Sequence, residues 1–287
     1  MFVAEAAVIA PTSIGVETLP GSLDGPVPQS VYTDDVFLQS LVFPSVTFAN
    51  PGNFRAAQDL EVITGRTEIN VEWGDQDTSA DGDPTPLASI GQPDSLKETT
   101  NPAIQDAGLL QVFNSLSLTE MTDGEGPNFS FKVLFQNGLT DDNPGAGDQV
   151  PELIFVERGL NDTFDVELII GGSFENPVLS DPLRIDSGDF WSSGLSVNTT
   201  EINGAQELGV GGFDLNDWGL SGGETVFGFL LTGVQGGPDL NGFFLSAEDP
   251  GRFVDPLEPP VSQVPLPASI LLLLSALGVL GSLRSRT

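Results

Sequence analysis

The chain contains neither cysteine nor histidine. Without cysteine it has no disulfide, no thiolate nucleophile and no cysteine-based zinc or iron–sulfur site. Without histidine it lacks the commonest general base, the commonest transition-metal ligand and any Ser-His-Asp triad. Two chemistries survive these absences, namely catalysis by carboxylates alone, as in glycoside hydrolysis, and calcium binding by oxygen ligands.

Basic residues are also scarce, because 9 Lys+Arg stand against 41 Asp+Glu in 287 residues, for a formal net charge of -32. Two of the basic residues, Arg284 and Arg286, lie at the C-terminus. The last acidic residue of the chain is Glu258. Such a charge keeps a protein soluble and repels nucleic acid, anionic lipid and acidic polysaccharide, while it attracts cations. We therefore expect no nucleic-acid partner.

Amphipathic helical patterns are absent, and short apolar runs alternate with clusters of turn residues instead. The chain has 34 Gly, 22 Pro and 19 Phe. In the segment 163–170, Phe164, Val166, Leu168 and Ile170 occupy alternate positions, which is the period of a half-buried strand. Strands at this spacing without helices predict an all-β protein, and specifically a β-sandwich of jelly-roll type.

Composition divides the chain into four parts. Residues 1–30 are interpreted as a loose leader, either the remnant of a signal peptide or an ordinary flexible N-terminus. Residues 31–246 form the predicted β-sandwich domain and include a long acidic surface loop over 74–108. Residues 247–263 are a proline-rich acidic linker, and residues 264–287 form a C-terminal tail.

The tail combines a short proline motif, an apolar run over 270–283 and the basic residues Arg284 and Arg286. From Leu266 to Leu283 a helix would be roughly 27 Å long, which is enough to cross a thin bilayer. The arginines would then lie on the cytoplasmic side and the acidic body outside. A buried C-terminal helix and a plain single-pass anchor are the alternative interpretations.

The motif at the start of the tail is the sequence Val264, Pro265, Leu266, Pro267 and Ala268. With the apolar run and the basic end, it resembles the PEP-CTERM sorting tail in its Val-Pro-Leu-Pro-Ala variant. Leu266 stands where the more common form has Glu. The resemblance covers only about residues 263–287.

This resemblance implies a Gram-negative bacterium and export to the cell surface or extracellular matrix, often in cells that make exopolysaccharide. It also implies that a membrane exosortase recognises residues 264–268 and removes the helix that follows. The precursor would be anchored in the inner membrane before this processing. The sorting residues would thus be a substrate for a partner enzyme and not a site of this protein's own chemistry.

Acidic loops provide the candidate metal sites. The best has carboxylates at Asp75, Asp77, Asp81 and Asp83, which could converge on Ca²⁺. It departs from an EF-hand loop, because Ala80 replaces the turn glycine and Pro86 the bidentate glutamate. A solvated acidic loop is the alternative interpretation. Weaker candidates fall into two groups: Asp141, Asp142 and Asp148, and Asp214, Asn216 and Asp217.

Two further patterns admit a structural and a binding interpretation. Glu157 and Arg158 follow an apolar strand, and we expect either a buried Arg–carboxylate pair that braces a turn or a carbohydrate contact. Trp73, Trp191 and Trp218 are either core residues or platforms that stack on sugars.

These observations favour a non-enzymatic surface or matrix protein sorted through its tail. The alternatives are an envelope-attached carbohydrate-binding module, which Ca²⁺ could stabilise, and a carboxylate-dependent glycosidase.

Overall fold

The structure is a computed structural model of the full chain, and it describes residues 4–5, 7–18, 30–32, 36–49, 54–55, 57–72, 100–141, 150–198, 204–220 and 223–245. All of these belong to a single compact unit, Met1–Pro256. The linker 247–263, the tail 264–287 and most of the predicted loop 74–108 lie outside the described residues.

The described residues are mostly β-strand, which confirms the all-β prediction. In chain order the strands are β1 Ala4–Glu5, β2 Ser13–Thr18, β3 Val31–Tyr32, β4 Val36–Val42, β5 Thr47–Ala49, β6 Phe54–Arg55, β7 Ala57–Thr64, β8 Ile69–Glu72, β9 Met121–Gly124, β10 Ser130–Thr140, β11 Leu153–Arg158, β12 Thr163–Gly172, β13 Pro177–Leu179, β14 Leu183–Ile185, β15 Trp191–Val197, β16 Gln206–Phe213, β17 Thr225–Gln235 and β18 Leu240–Leu245.

The strands form three sheets within the described residues. The outer sheet has the order β1-β14-β12-β17-β10-β7, with β13 beside β12. The central sheet has the order β3-β15-β16-β11-β18-β9-β8, with β6 beside β18, and the small sheet has the order β2-β4-β5. Most neighbours are antiparallel, and the parallel pairs are β1 with β14 and β3 with β15.

The central sheet contributes to a hydrophobic core on each of its faces. In β11, Leu153 and Phe155 belong to a first core shared with the outer sheet. Ile154 and Val156 point the other way, into a second core shared with the small sheet. Successive side chains of a strand alternate between faces, so a strand covered on both sides reads as a continuous apolar run.

Aromatic rings fill the centre of the first core. The Phe155 ring lies 5.6 Å from Phe229, 5.7 Å from Phe164 and 5.9 Å from Phe213, centroid to centroid. The Phe229 and Phe164 contacts are edge-on, a favourable geometry for aromatic pairs. These rings connect β11 and β16 of the central sheet to β12 and β17 of the outer sheet.

The structure differs from the predicted leader and loop. Residues 13–18, expected in a loose leader, form β2 and pair with β4, while Ile9 exchanges two backbone hydrogen bonds with Gly212. A helix spans Pro102–Val112 and overlaps the end of the predicted loop 74–108. Asn101 caps it by accepting from the Ala103 N–H, and Leu109 and Val112 reach the first core. The apolar residues of this helix are not concentrated on one face, so no helical period marks it in the sequence.

Among the described residues, no helix has the length and apolar character needed to cross a membrane.

Candidate ligand-binding cavity

The end of β11 carries a tight turn that places several polar groups together. After Arg158 the chain passes through Gly159, with φ 104°, and Leu160, with φ 56°, before β12 begins. The left-handed region is uncommon for a leucine, so neighbouring contacts must hold this conformation. The buried Glu157 does so, because its Oε2 accepts the Leu160 N–H at 2.5 Å.

Arg158 is enclosed at the same strand end, with only 1% of its surface exposed. Its Nε and Nη2 donate to Asp239 Oδ2 at 3.2 and 2.7 Å, and its backbone N–H donates to the Asp239 carbonyl at 3.0 Å. The structure therefore contains the buried Arg–carboxylate pair at a turn that the sequence suggested. The acidic partner is Asp239, just before β18, and the contact ties the two strands together.

Glu157 and Asp162 form a coupled pair of buried carboxyls. Burial raises the pKa of Glu157 to about 8, and the negative charges of Asp162 and Asp239 add to the shift. Burial also raises the pKa of Asp162, while the hydrogen bonds that it accepts oppose this. Two carboxylates this close cannot both be charged at low cost, so the pair retains a proton near neutral pH.

Asp162 is held by the loop that precedes β18. Its Oδ1 accepts from the Gly237 N–H at 3.1 Å and from Asn161 Nδ2 at 3.3 Å. Gly236 has φ 73°, and a Cβ there would overlap the Asp162 carboxyl. Glycine is therefore required for the backbone to approach this carboxyl.

These groups surround a surface cavity of about 300 Å³, which we call the acidic cavity. The residues that line it include Arg158, Gly124, Gly236 and Gly237. Its other polar side chains are those of Asp123, Glu125, Asn161, Asp162, Gln206 and Asp239. The lining thus contains four acidic residues and one arginine, and the arginine is paired with one of the four, Asp239.

A second cavity of about 460 Å³, the adjoining cavity, shares Glu125 with the first. Asn70 lines it, is only 6% exposed and donates from Nδ2 to Glu125 Oε1 at 3.3 Å. The Asn70 Oδ1 is buried and has no hydrogen-bond partner among the described residues. Arg66, also in this wall, makes a two-pronged ion pair with Asp106 at 2.7 and 3.0 Å.

Some residues of the two weaker acidic candidates are in contact with one another in the structure. Asn216 Nδ2 donates to Asp141 Oδ2 at 2.9 Å, and Asp214 Oδ1 accepts the Asn216 N–H at 2.8 Å. Burial and the charge of Asp214 raise the pKa of Asp217 to about 6. These residues start the short 3-10 helix Leu215–Trp218, so their hydrogen bonds have a structural role.

Among the described residues, no cluster of three or more acidic side chains is arranged so that it could hold a metal ion. Asp142 and Asp148 lie outside the described residues, as do Asp75, Asp77, Asp81 and Asp83. The calcium prediction is therefore untested. The sorting residues Val264, Pro265, Leu266, Pro267, Ala268, Arg284 and Arg286 also lie outside the described residues.

Trp218 is a core residue and not a sugar platform. It is 7% exposed, belongs to the first core, and donates its indole N–H to the Val166 carbonyl at 2.8 Å. Trp191 is half-buried and packs against the second core. Trp73 lies outside the described residues.

Sequence reasoning singled out Arg158 but missed most of the other cavity residues. Asp239 and Gly124 are joined by a hydrogen bond of 3.3 Å although 115 positions separate them. The available signal was local: glycines stand beside acids in Asp123-Gly124-Glu125 and in Gly236-Gly237-Pro238-Asp239, where loops from two strands meet.

Comparison of the chain with protein-family models, with curated proteins and with solved structures found no match.

Proposed function

We propose that this is a non-enzymatic protein of the bacterial cell surface or extracellular matrix, delivered there by an exosortase that reads residues 264–268. The observation that carries the proposal is the order of a Pro-x-Pro motif, an apolar run and a basic end at 264–287. Prolines keep a segment extended and accessible, and an apolar helix would hold it at the membrane.

The proposed body is a β-sandwich of jelly-roll type that precedes a transmembrane sorting helix. The alternation of strands between sheets supports this connectivity: β10, β11 and β12 belong in turn to the outer, central and outer sheets. The strands β16, β17 and β18 alternate in the same way, from central to outer to central. Absence of histidine and cysteine from the whole chain supports a role without catalysis.

The sorting proposal is tested by mass spectrometry of the protein purified from its native host, with and without the exosortase. We expect the mature form to lack residues 270–287 only when the enzyme is present.

Pro265→Ala combined with Pro267→Ala should block this processing, because the extended motif is lost. The matched control is Pro259→Ala with Pro260→Ala in the linker, which should be processed normally. A mature wild-type protein that keeps its tail in exosortase-positive cells contradicts the proposal.

A second proposed function is carbohydrate binding at the acidic cavity. Its volume lies at the lower end of the range for small-molecule sites, and carboxylate, amide and backbone groups of this kind orient sugar hydroxyls. Binding on a glycan array should weaken in Asp123→Asn, whose side chain is half-buried in the cavity lining. Asp181→Asn, at an exposed acid outside that lining, is the control. Equal binding by both variants would refute the assignment to this cavity.

Calcium stabilisation by Asp75, Asp77, Asp81 and Asp83 remains a separate proposal. Thermal unfolding in calcium and in chelator should give different midpoints, because an ion that binds only the folded state stabilises it. The difference should disappear in Asp77→Asn with Asp81→Asn. Coincident wild-type curves would eliminate the site.

A further inference from the structure

We propose that the acidic cavity and the adjoining cavity together select an amine-bearing sugar, such as a glucosamine oligosaccharide, over neutral and acidic sugars. This rests on the proposed carbohydrate binding and specifies the chemical class of the ligand.

The lining of the acidic cavity is rich in hydrogen-bond acceptors. The N–H groups of Gly124 and Gly237 are already donated to Asp239 and Asp162. The acceptors that a ligand can reach are those of the half-buried Asp123 and the exposed Glu125. Gln206 Oε1 and Asn70 Oδ1 also have no partner among the described residues, but they are buried. A ligand that satisfies such a surface must bring donors, which ammonium and hydroxyl groups do and carboxylate, sulfate or phosphate groups do not.

The two linings also carry negative charge that their arginines do not balance. Each arginine is already paired with a carboxylate, Arg158 with Asp239 and Arg66 with Asp106. This leaves the charges of Asp123 and Glu125 without a described cationic partner, in a chain of formal charge -32. An ammonium group would be attracted to these carboxylates, whereas a uronic acid would be repelled.

The two cavities share a lining residue, and the backbone beside it is closely packed. Glu125 belongs to the linings of both cavities, so adjacent sugar units could contact one wall. The backbones of Gly124 and Gly237 approach so closely that a Cβ on Gly237 would overlap the Gly124 carbonyl. This packing fixes the wall between them before any ligand arrives, and preorganisation lowers the entropic cost of binding.

The test is isothermal titration calorimetry of the full chain with oligosaccharides of equal length made of glucosamine, N-acetylglucosamine or glucuronate. We expect glucosamine oligomers to bind at least about tenfold more tightly than the other two, the amount expected from one charged hydrogen bond. Binding of the N-acetylated oligomer with equal affinity would overturn the amine selectivity but keep carbohydrate binding. Binding of none of the three would overturn both.

Variants and a peptide probe separate the site from general attraction of cations. Asp123→Asn and Glu125→Gln each remove a charge but keep an acceptor oxygen, and each should weaken glucosamine binding by about tenfold. Asp181→Asn removes an equal charge at an exposed position elsewhere and should leave affinity unchanged. Oligolysine of matched charge should bind more weakly than the sugar. If it binds equally well, or if all three variants lose affinity alike, the site-specific proposal is wrong.

Discussion

The guanidinium of Arg158 and the carboxylate of Asp239 form a buried ion pair that joins the end of β11 to the start of β18, with N···O of 2.7 Å. The side chains are 1% and 14% exposed. Arg184 and Asp165 form a pair with almost the same distance, 2.8 Å, but with 35% and 20% exposure. The two pairs therefore differ mainly in burial, which is the property that decides the cost of breaking them.

Asp239→Asn should destabilise the protein by about 3–5 kcal/mol, because it removes the carboxylate that pairs with a buried guanidinium. Asp165→Asn, the matched change at the more exposed pair, should cost at most about 1 kcal/mol. Urea unfolding midpoints at constant slope measure both changes. Equal losses for the two variants would show that burial of Arg158 does not govern the energetics.

The stability of the fold should decrease as pH rises from about 4.5 to about 8. Folded Glu157 keeps its proton up to a pKa of about 8, whereas its ordinary pKa is 4.5. Between these two pH values the folded state binds more protons than the unfolded state. The contribution of Glu157 to the free energy of unfolding is therefore fully present below pH 4.5 and is lost as the pH rises towards 8. Burial also raises the pKa of Asp162, Asp217, Asp59 and Glu167, which act in the same direction.

Glu157→Gln tests this pH dependence directly. Glutamine retains an oxygen that can accept the Leu160 N–H but has no proton to lose, so the decline should become shallower. Glu175→Gln is the control, since Glu175 is exposed and the pKa of this carboxyl is lowered by hydrogen bonds. Thermal unfolding followed from pH 4 to pH 9 gives the comparison. Unchanged curves for Glu157→Gln would exclude this carboxyl as the source.

Strand patterns could be predicted because their signal is local. Phe164, Val166 and Leu168 were expected on one face of a strand, and all three are fully buried in the first core. The 3-10 helix Leu215–Trp218 also has a local signal, because the side chain of Asp214 accepts from the Asn216 N–H at its start. The strand is marked by alternating apolar residues and the 3-10 helix by a capping aspartate. Both signals lie within a few residues of the structure that they indicate.

The third sheet and the cavity could not be predicted, because they depend on distant contacts. Residues 13–18 have few large apolar groups, and only pairing with β4 makes them a strand. The cavity forms where β11, β16 and the loops beside β9 and β18 come together. These elements are far apart in the sequence, so no short-range pattern predicts their contact. Composition indicated an excess of carboxylates but not where they converge.

Trp218→Phe should destabilise the protein without altering glycan binding. The substitution removes the indole N–H that the buried Val166 carbonyl accepts, which should cost about 1–3 kcal/mol. Trp218→Ala should cost more, about 3–5 kcal/mol, because it also leaves a cavity in the first core. Denaturant unfolding gives the energies, and calorimetry with the glucosamine oligomer gives the affinity. A stable Trp218→Phe protein that no longer binds sugar would contradict the core assignment.

Gly228→Ala should be among the most damaging small substitutions in the outer sheet. Gly228 lies in β17 opposite Leu134 of β10, and a Cβ there would overlap the Val133 carbonyl, which is backbone and cannot rotate away. Separating β10 from β17 breaks ladder hydrogen bonds and opens the first core, so we expect a loss above about 3 kcal/mol. Gly188→Ala is the matched control, because Gly188 is exposed and has no atom within 4 Å of the added Cβ. It should change stability by no more than about 0.5 kcal/mol. Amide hydrogen exchange should then show faster opening of β10 and β17 in Gly228→Ala alone, and unchanged protection there would contradict the predicted close approach of the two strands.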